Sequence, residues 1–88
     1  MTEGKELNRA VKVKMLFFGP LVDEIGTREI IVALQRGTAL IELADQFHLS
    51  AQIGNGLRVA VDGEITDDLD QTLNDGAELA FLPPVSGG

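Results

Sequence analysis

Two hydrophobic periods alternate along this chain, and the switches between them divide it into elements. From Val11 the run Val-Lys-Val-Lys-Met-Leu-Phe-Phe repeats every second residue, so Val11, Val13, Met15 and Phe17 share one face of a strand over 11–18. Lys12 and Lys14 lie on the other face with Leu16 and Phe18, which makes that face charged at its start and apolar at its end. Gly19-Pro20 stops the strand, and 21–25 reads as a short loop or a turn of helix before Gly26. A second strand over 28–34 sets Ile30, Val32 and Leu34 against Glu29, Ile31 and Ala33. The segment between the two strands is too short for a helical crossover, so they are predicted to form an antiparallel hairpin.

After a turn at Gln35-Arg36-Gly37 the period lengthens. Leu40, Leu43, Ala44 and Phe47 form one apolar stripe on a helix of about ten residues, with Thr38 as its predicted N-cap and Glu42, Asp45 and Gln46 on the wet side. Gly54 and Gly56 mark a loop into a third strand over 57–61, where Leu57, Val59 and Val61 alternate. Asp62-Gly63 is a tight-turn signal, followed by a short return through Glu64 and Ile65 and an acidic loop over 66–75. Asp75-Gly76 turns the chain into a last strand over 77–82, with Leu79 and Phe81 inward and Glu78, Ala80 and Leu82 outward. Pro83-Pro84 ends it, because neither residue can donate a backbone N–H to a ladder.

The predicted order is β–β–α–β–(β)–β. One amphipathic helix and one half-apolar sheet cover each other most simply if the helix lies across a single sheet face. With the first and last strands paired in the middle, this is an α+β, ubiquitin-like β-grasp: a mixed sheet, one main helix and an extended C-terminal Gly-Gly tail. Residues 1–10 are expected to be a flexible leader, 11–82 the β-grasp domain and 83–88 the extended tail.

Composition narrows the chemistry. At 88 residues, 44% hydrophobic and 24% charged, the sequence has room for one ordinary globular domain with a thin core of mostly aliphatic side chains. It contains no cysteine, which excludes disulfides, thiolate metal sites and a cysteine nucleophile. No apolar run approaches a membrane span and no signal-peptide pattern opens the chain, so a cytoplasmic protein is expected. Residues 1–36 hold six basic and five acidic side chains, whereas 37–88 hold one basic and nine acidic. That balance argues against nucleic acid and favours a basic protein surface as partner.

Candidate active-site residues fail one by one. There is no glycine-rich phosphate loop. His48 has no companion to make a metal site or a triad and reads as an end-of-helix residue. Asp67, Asp68 and Asp70 lack the spacing of a calcium loop and read as solvated. The isolated chain is not expected to be an enzyme. The tail differs. Pro83-Pro84 favours an extended exit, and the last six residues could reach roughly 20 Å. Gly87 and Gly88 carry no Cβ and could enter a channel barely wider than a backbone. An ionised α-carboxylate is a poor electrophile, and joining it to AMP makes it a reactive acyl group. With no nucleotide motif in this chain, that ATP chemistry is expected in a partner's active site.

The ending Phe81-Leu82-Pro83-Pro84-Val85-Ser86-Gly87-Gly88 resembles that of the MoaD family of sulfur carriers, the small subunits of molybdopterin synthase. Lys14 to Gly19 with 21–26, Val59 to Glu64 (compare VAVNGE) and Leu73 to Leu79 (compare LxDGDEV) are similar to further family segments, so the likeness spans about 11–88. The resemblance implies that a ubiquitin-activating-enzyme-like adenylyltransferase uses ATP to adenylate Gly88, which becomes a thiocarboxylate. The tail then enters the large catalytic subunit and gives sulfur to precursor Z, forming the molybdopterin dithiolene. Gly88 would carry the sulfur and Gly87 would give it clearance. Phe18, Ile65 and Leu82 would form an apolar docking surface, continued by Pro83, Pro84, Val85 and Ser86. No cofactor, metal, nucleic acid or membrane is implied for this chain. Val22 stands where the family commonly has Arg, the segment before Leu57 is short, and the leader is extra. Three alternatives stay open: a protein modifier joined to lysines, a sulfur carrier for thiamine or tRNA thiolation, and a plain β-grasp binding module.

Overall fold

The computed structural model describes residues 10–84; the expected leader over 1–9 and the tail residues Val85, Ser86, Gly87 and Gly88 lie outside them. Ala10, assigned to the leader, instead opens the first strand and pairs with Gln35. The elements are β1 (Ala10–Phe17), α1 (Pro20–Ile25), β2 (Glu29–Gln35), α2 (Leu40–Gln46), α3 (Ser50–Gly54), β3 (Arg58–Val61), β4 (Glu64–Thr66) and β5 (Glu78–Leu82). They build one five-stranded sheet in the order β2-β1-β5-β3-β4. β1 and β5 are parallel at its centre, and the other neighbours are antiparallel.

The alternation in β1 and β5 has the expected result. Val11, Val13, Met15 and Phe17 are buried beside Leu79 and Phe81, and the rings of Phe17 and Phe81 stack at 5.7 Å. Leu40, Leu43 and Ala44 of α2 close the same layer, with Leu21 of α1 and Leu49, Leu57 and Leu73 from connecting segments. Removing such surface from water is the main force holding a small domain together. The Asp62-Gly63 turn is realised with positive φ at both residues (51° and 88°), the form that suits the right-handed twist of a hairpin. Asp62 also ties that hairpin to β5: its N–H donates to Glu78 O (2.8 Å), and its Oδ1 accepts from Glu78 N (2.9 Å).

Several local expectations are corrected. Thr38 is not the N-cap of α2; that position is Ala39, and the Thr38 hydroxyl donates to Gln35 O (2.6 Å), closing the turn after β2. The free N–H groups of the first turn are taken by groups distant in sequence. Leu40 N donates to Gln71 O (2.9 Å) and Ile41 N to Leu69 O (2.8 Å), while Ala39 N donates to Glu42 Oε1 (2.8 Å). The acidic loop is therefore a capping element as well as a solvated one. Its Asp67, Asp68 and Asp70 are exposed, Leu73 is buried, and Thr66 belongs to β4. The helix also spans seven residues rather than about ten, with Phe47 just past its end. The expected loop around Gly54 begins instead as α3, where Ile53 N donates to Leu49 O (3.0 Å) and Ile53 packs on the core. Gly54 sits in the last turn of that helix, where glycine is well tolerated.

Candidate functional site: the tail root and the open sheet face

Because β1 and β5 run parallel, the end of β5 emerges beside the end of β1, and the tail leaves the domain there. Two loops flank it. Gly19, between β1 and α1, faces Pro83, and a Cβ at Gly19 would stand 3.2 Å from Pro83 Cγ. Gly56, between α3 and β3, faces Pro84, and a Cβ there would stand 3.2 Å from Pro84 Cβ. Both glycines have positive φ (62° and 112°), so each gives clearance to one proline in a backbone shape that other residues adopt at a cost. Beside the prolines lies a cleft of about 360 Å³ walled by Leu21 and Glu24 of α1, Gln52 of α3 and Leu57. Gln52 Nε2 donates to Glu24 Oε1 (3.1 Å), which joins the two short helices across the cleft. Gln52 is the contribution of α3 to this wall, and in the sequence the helical signal of α3 is the Leu49 and Ile53 pair four residues apart.

The sheet face away from α2 carries the sequence-predicted docking residues. Phe18 is 43% exposed and Ile65 51% exposed, while Leu82 is half-buried. Phe18 lies just past the end of β1, level with the end of β5, and lines a shallow hollow with Leu16, Val22, Arg28 and Glu29. Ile65 is at the far edge, and register connects it to the others. Ile65 pairs with Ala60, Ala60 with Ala80, and Ala80 with Leu16, so one apolar row crosses four strands on a single face. Leu82 is in the next row, opposite Arg58. The sequence reading set Leu16 and Ala80 on this outward face but did not join them with Ala60 into a row, because only strand pairing places residues of different strands in line. Val85, Ser86, Gly87 and Gly88 fall outside the described residues.

No polar or charged side chain among the described residues is buried, and no three His, Asp or Glu side chains among them gather as a metal site. His48 is exposed just after α2, in the turn before α3, with the left-handed φ of 59°. Asp68 and Asp70 are engaged in local turn bonds: Asp68 N donates to Thr66 Oγ1 (3.0 Å) and Asp70 N to Asp68 Oδ1 (3.2 Å). No described helix is long and apolar enough to cross a membrane. What this arrangement supplies is a tail root packed between two loops and an apolar surface beside it.

A mixed sheet with its first and last strands paired in parallel, one main helix across one face and a tail leaving from the central strand define a small ubiquitin-like β-grasp protein. The fold of small archaeal modifier protein 1 from Haloferax volcanii is similar (TM-score 0.71, 21% identity, 85% of this chain and 99% of that one). The chain belongs to the ThiS family, matching it over residues 15–88. It is 35% identical over 83 residues to the molybdopterin synthase sulfur carrier subunit of Escherichia coli strain K12, covering 86% of this chain and 99% of that protein. A chain in the complex of subunits 1 and 2 of molybdopterin-converting factor from Helicobacter pylori is 28% identical, with TM-score 0.63, 89% of this chain and all of that one covered. The resemblance drawn from the tail and the VAV-Asp-Gly-Glu segment thus extends over the folded domain.

Proposed function

We propose that this chain is a sulfur carrier for molybdopterin synthesis, and that the α-carboxyl of Gly88 is the group that carries the sulfur. The observation that carries this reading is the family match running from within β1 through residue 88. The folded part acts as a handle, and the reagent is the backbone end.

The chemistry follows from the poor reactivity of a carboxylate. Attack of the Gly88 carboxylate on the α-phosphorus of ATP, in an adenylating partner, forms an acyl-adenylate and releases pyrophosphate. A sulfide-level sulfur donor then attacks the acyl carbon, AMP leaves, and the product is a thiocarboxylate. Pro83 and Pro84, seated against Gly19 and Gly56, fix the point at which the chain leaves the domain. Phe18, Leu82 and the row ending at Ile65 dock on a large synthase subunit, desolvating an apolar surface that a small acidic domain otherwise exposes. The acceptor of sulfur lies in that partner, and this chain is a carrier, not a catalyst.

The test is intact mass spectrometry of the protein isolated from its own cells with its associated proteins. The expected result is one oxygen replaced by sulfur at Gly88 and co-purification of a large synthase subunit. A variant with one residue added after Gly88 should lose transfer and keep its thermal stability. Isopeptide conjugates to lysine, with no thiocarboxylate, would overturn the proposal in favour of a protein modifier.

A further inference from the structure

Among the described residues, one margin of the sheet, at β2, has no strand paired to it. β2 is an edge strand, and its pairing with β1 runs without a bulge from Ala10↔Gln35 to Leu16↔Glu29. Phe17 N donates to Arg28 O (2.9 Å), so the backbone of Arg28 faces β1 and, with a period of two, so do those of Ile30, Val32 and Leu34. The N–H and C=O groups of Glu29, Ile31, Ala33 and Gln35 therefore point off the edge. Natural sheets protect such groups with proline, lysine, bulges or very short strands. Within β2 (EIIVALQ) there is no proline and no lysine, and Ile31 at the middle of the edge is 62% exposed beside exposed Ala33. The opposite edge, β4, is three residues long and is followed by Asp67, Asp68 and Asp70.

We propose that β2 is a self-docking edge, through which a second copy of this chain adds in antiparallel register about Val32 to join two five-stranded sheets into one. In that register all residues of β2 overlap: Ile31 pairs with Ala33 of the second copy and Glu29 with Gln35, and every pair keeps both side chains on one face. No like charges meet within the paired strands. Charge distribution favours the same margin. Residues 1–36 are formally +1 and residues 37–88 formally −8, and Glu64, Asp67, Asp68 and Asp70 lie at or beyond β4, so two copies meet where each is least acidic. Residues 1–9 (MTEGKELNR) are a poorer occupant, since only Met1 and Leu7 could match Ile31 and Ala33. The two-fold axis stands perpendicular to the sheet, which leaves both apolar faces on one side and the two tail roots at opposite ends. An edge-to-edge joint of this kind buries little area, so the dimer forms in the high-micromolar to millimolar range.

The experiment is sedimentation velocity of the full chain from micromolar to millimolar concentration, with amide hydrogen exchange on the same samples. The expected result is a shift toward dimer, with the Ile31 and Ala33 amides slowing as concentration rises while those of Ile30 and Val32 stay constant. Ile31→Glu, at an exposed position opposite Lys14, should stay monomeric with its melting temperature kept. A monomer at every concentration overturns the proposal, as does a dimer that survives Ile31→Glu. Protection of Ile31 and Ala33 that is independent of concentration and lost on deleting residues 1–9 would identify the leader as the occupant, and also overturns it.

Discussion

Gly56→Ala tests whether the fold aims the tail. Gly56 has φ 112°, a region that costs a residue with a Cβ about 1–3 kcal/mol. In a domain of this size each kcal/mol moves the melting temperature by about 4–8 °C, so a drop of roughly 4–24 °C is expected. The new Cβ would also stand 3.2 Å from Pro84 Cβ, so the proline or the loop must yield by a few tenths of an ångström. Gly63→Ala is the control. Gly63 has φ 88° with nothing within 4 Å of its would-be Cβ, so it carries backbone strain and no contact with the tail. Thermal unfolding should register both variants. Thiocarboxylate loading, followed by mass spectrometry with the activating enzyme below saturation, should separate them. Misplacing a reacting group by about 1 Å can cost ~10²-fold, so a displacement of a few tenths, projected along the tail, is expected to slow loading about tenfold in Gly56→Ala alone. Equal loading rates in the two variants would refute the idea that this contact directs the tail.

Three further outcomes are expected. Phe18→Asp should weaken association with the large synthase subunit by about ten- to a hundredfold, the worth of about 1.5–3 kcal/mol for burying such a side chain, with an unchanged circular dichroism spectrum; calorimetric titration measures it. Glu42→Ala removes the bond to Ala39 N and should lower stability by about 0.5–1 kcal/mol in urea unfolding, although Glu42 is exposed. Leu43→Ala opens a cavity under α2 at a fully buried position and should cost about 2–5 kcal/mol, a large part of the stability of so small a domain.

Much of this protein is local and was therefore readable in its residues. Alternation in Val11 to Phe17 and in Leu79 to Phe81 can bury one face only as strands, and Leu40, Leu43 and Ala44 can share a face only on a helix. Asp62-Gly63 specifies its turn because both positions need positive φ. Those features, with Pro83-Pro84 before Gly87-Gly88, were enough for the β-grasp and for the family. The remainder was decided by contacts between residues far apart in the chain. Thr38 looks like a cap, yet Gln71 and Leu69 supply the carbonyls, because the loop after β4 passes over the start of α2. Ala60 and Ala80 look inert, yet strand register sets them between Leu16 and Ile65. Gly19 and Gly56 look like turn residues, yet they are the seats of two prolines from the other end of the domain. Periodicity encodes which way a side chain points relative to its own backbone; only the packed sheet determines what stands opposite it.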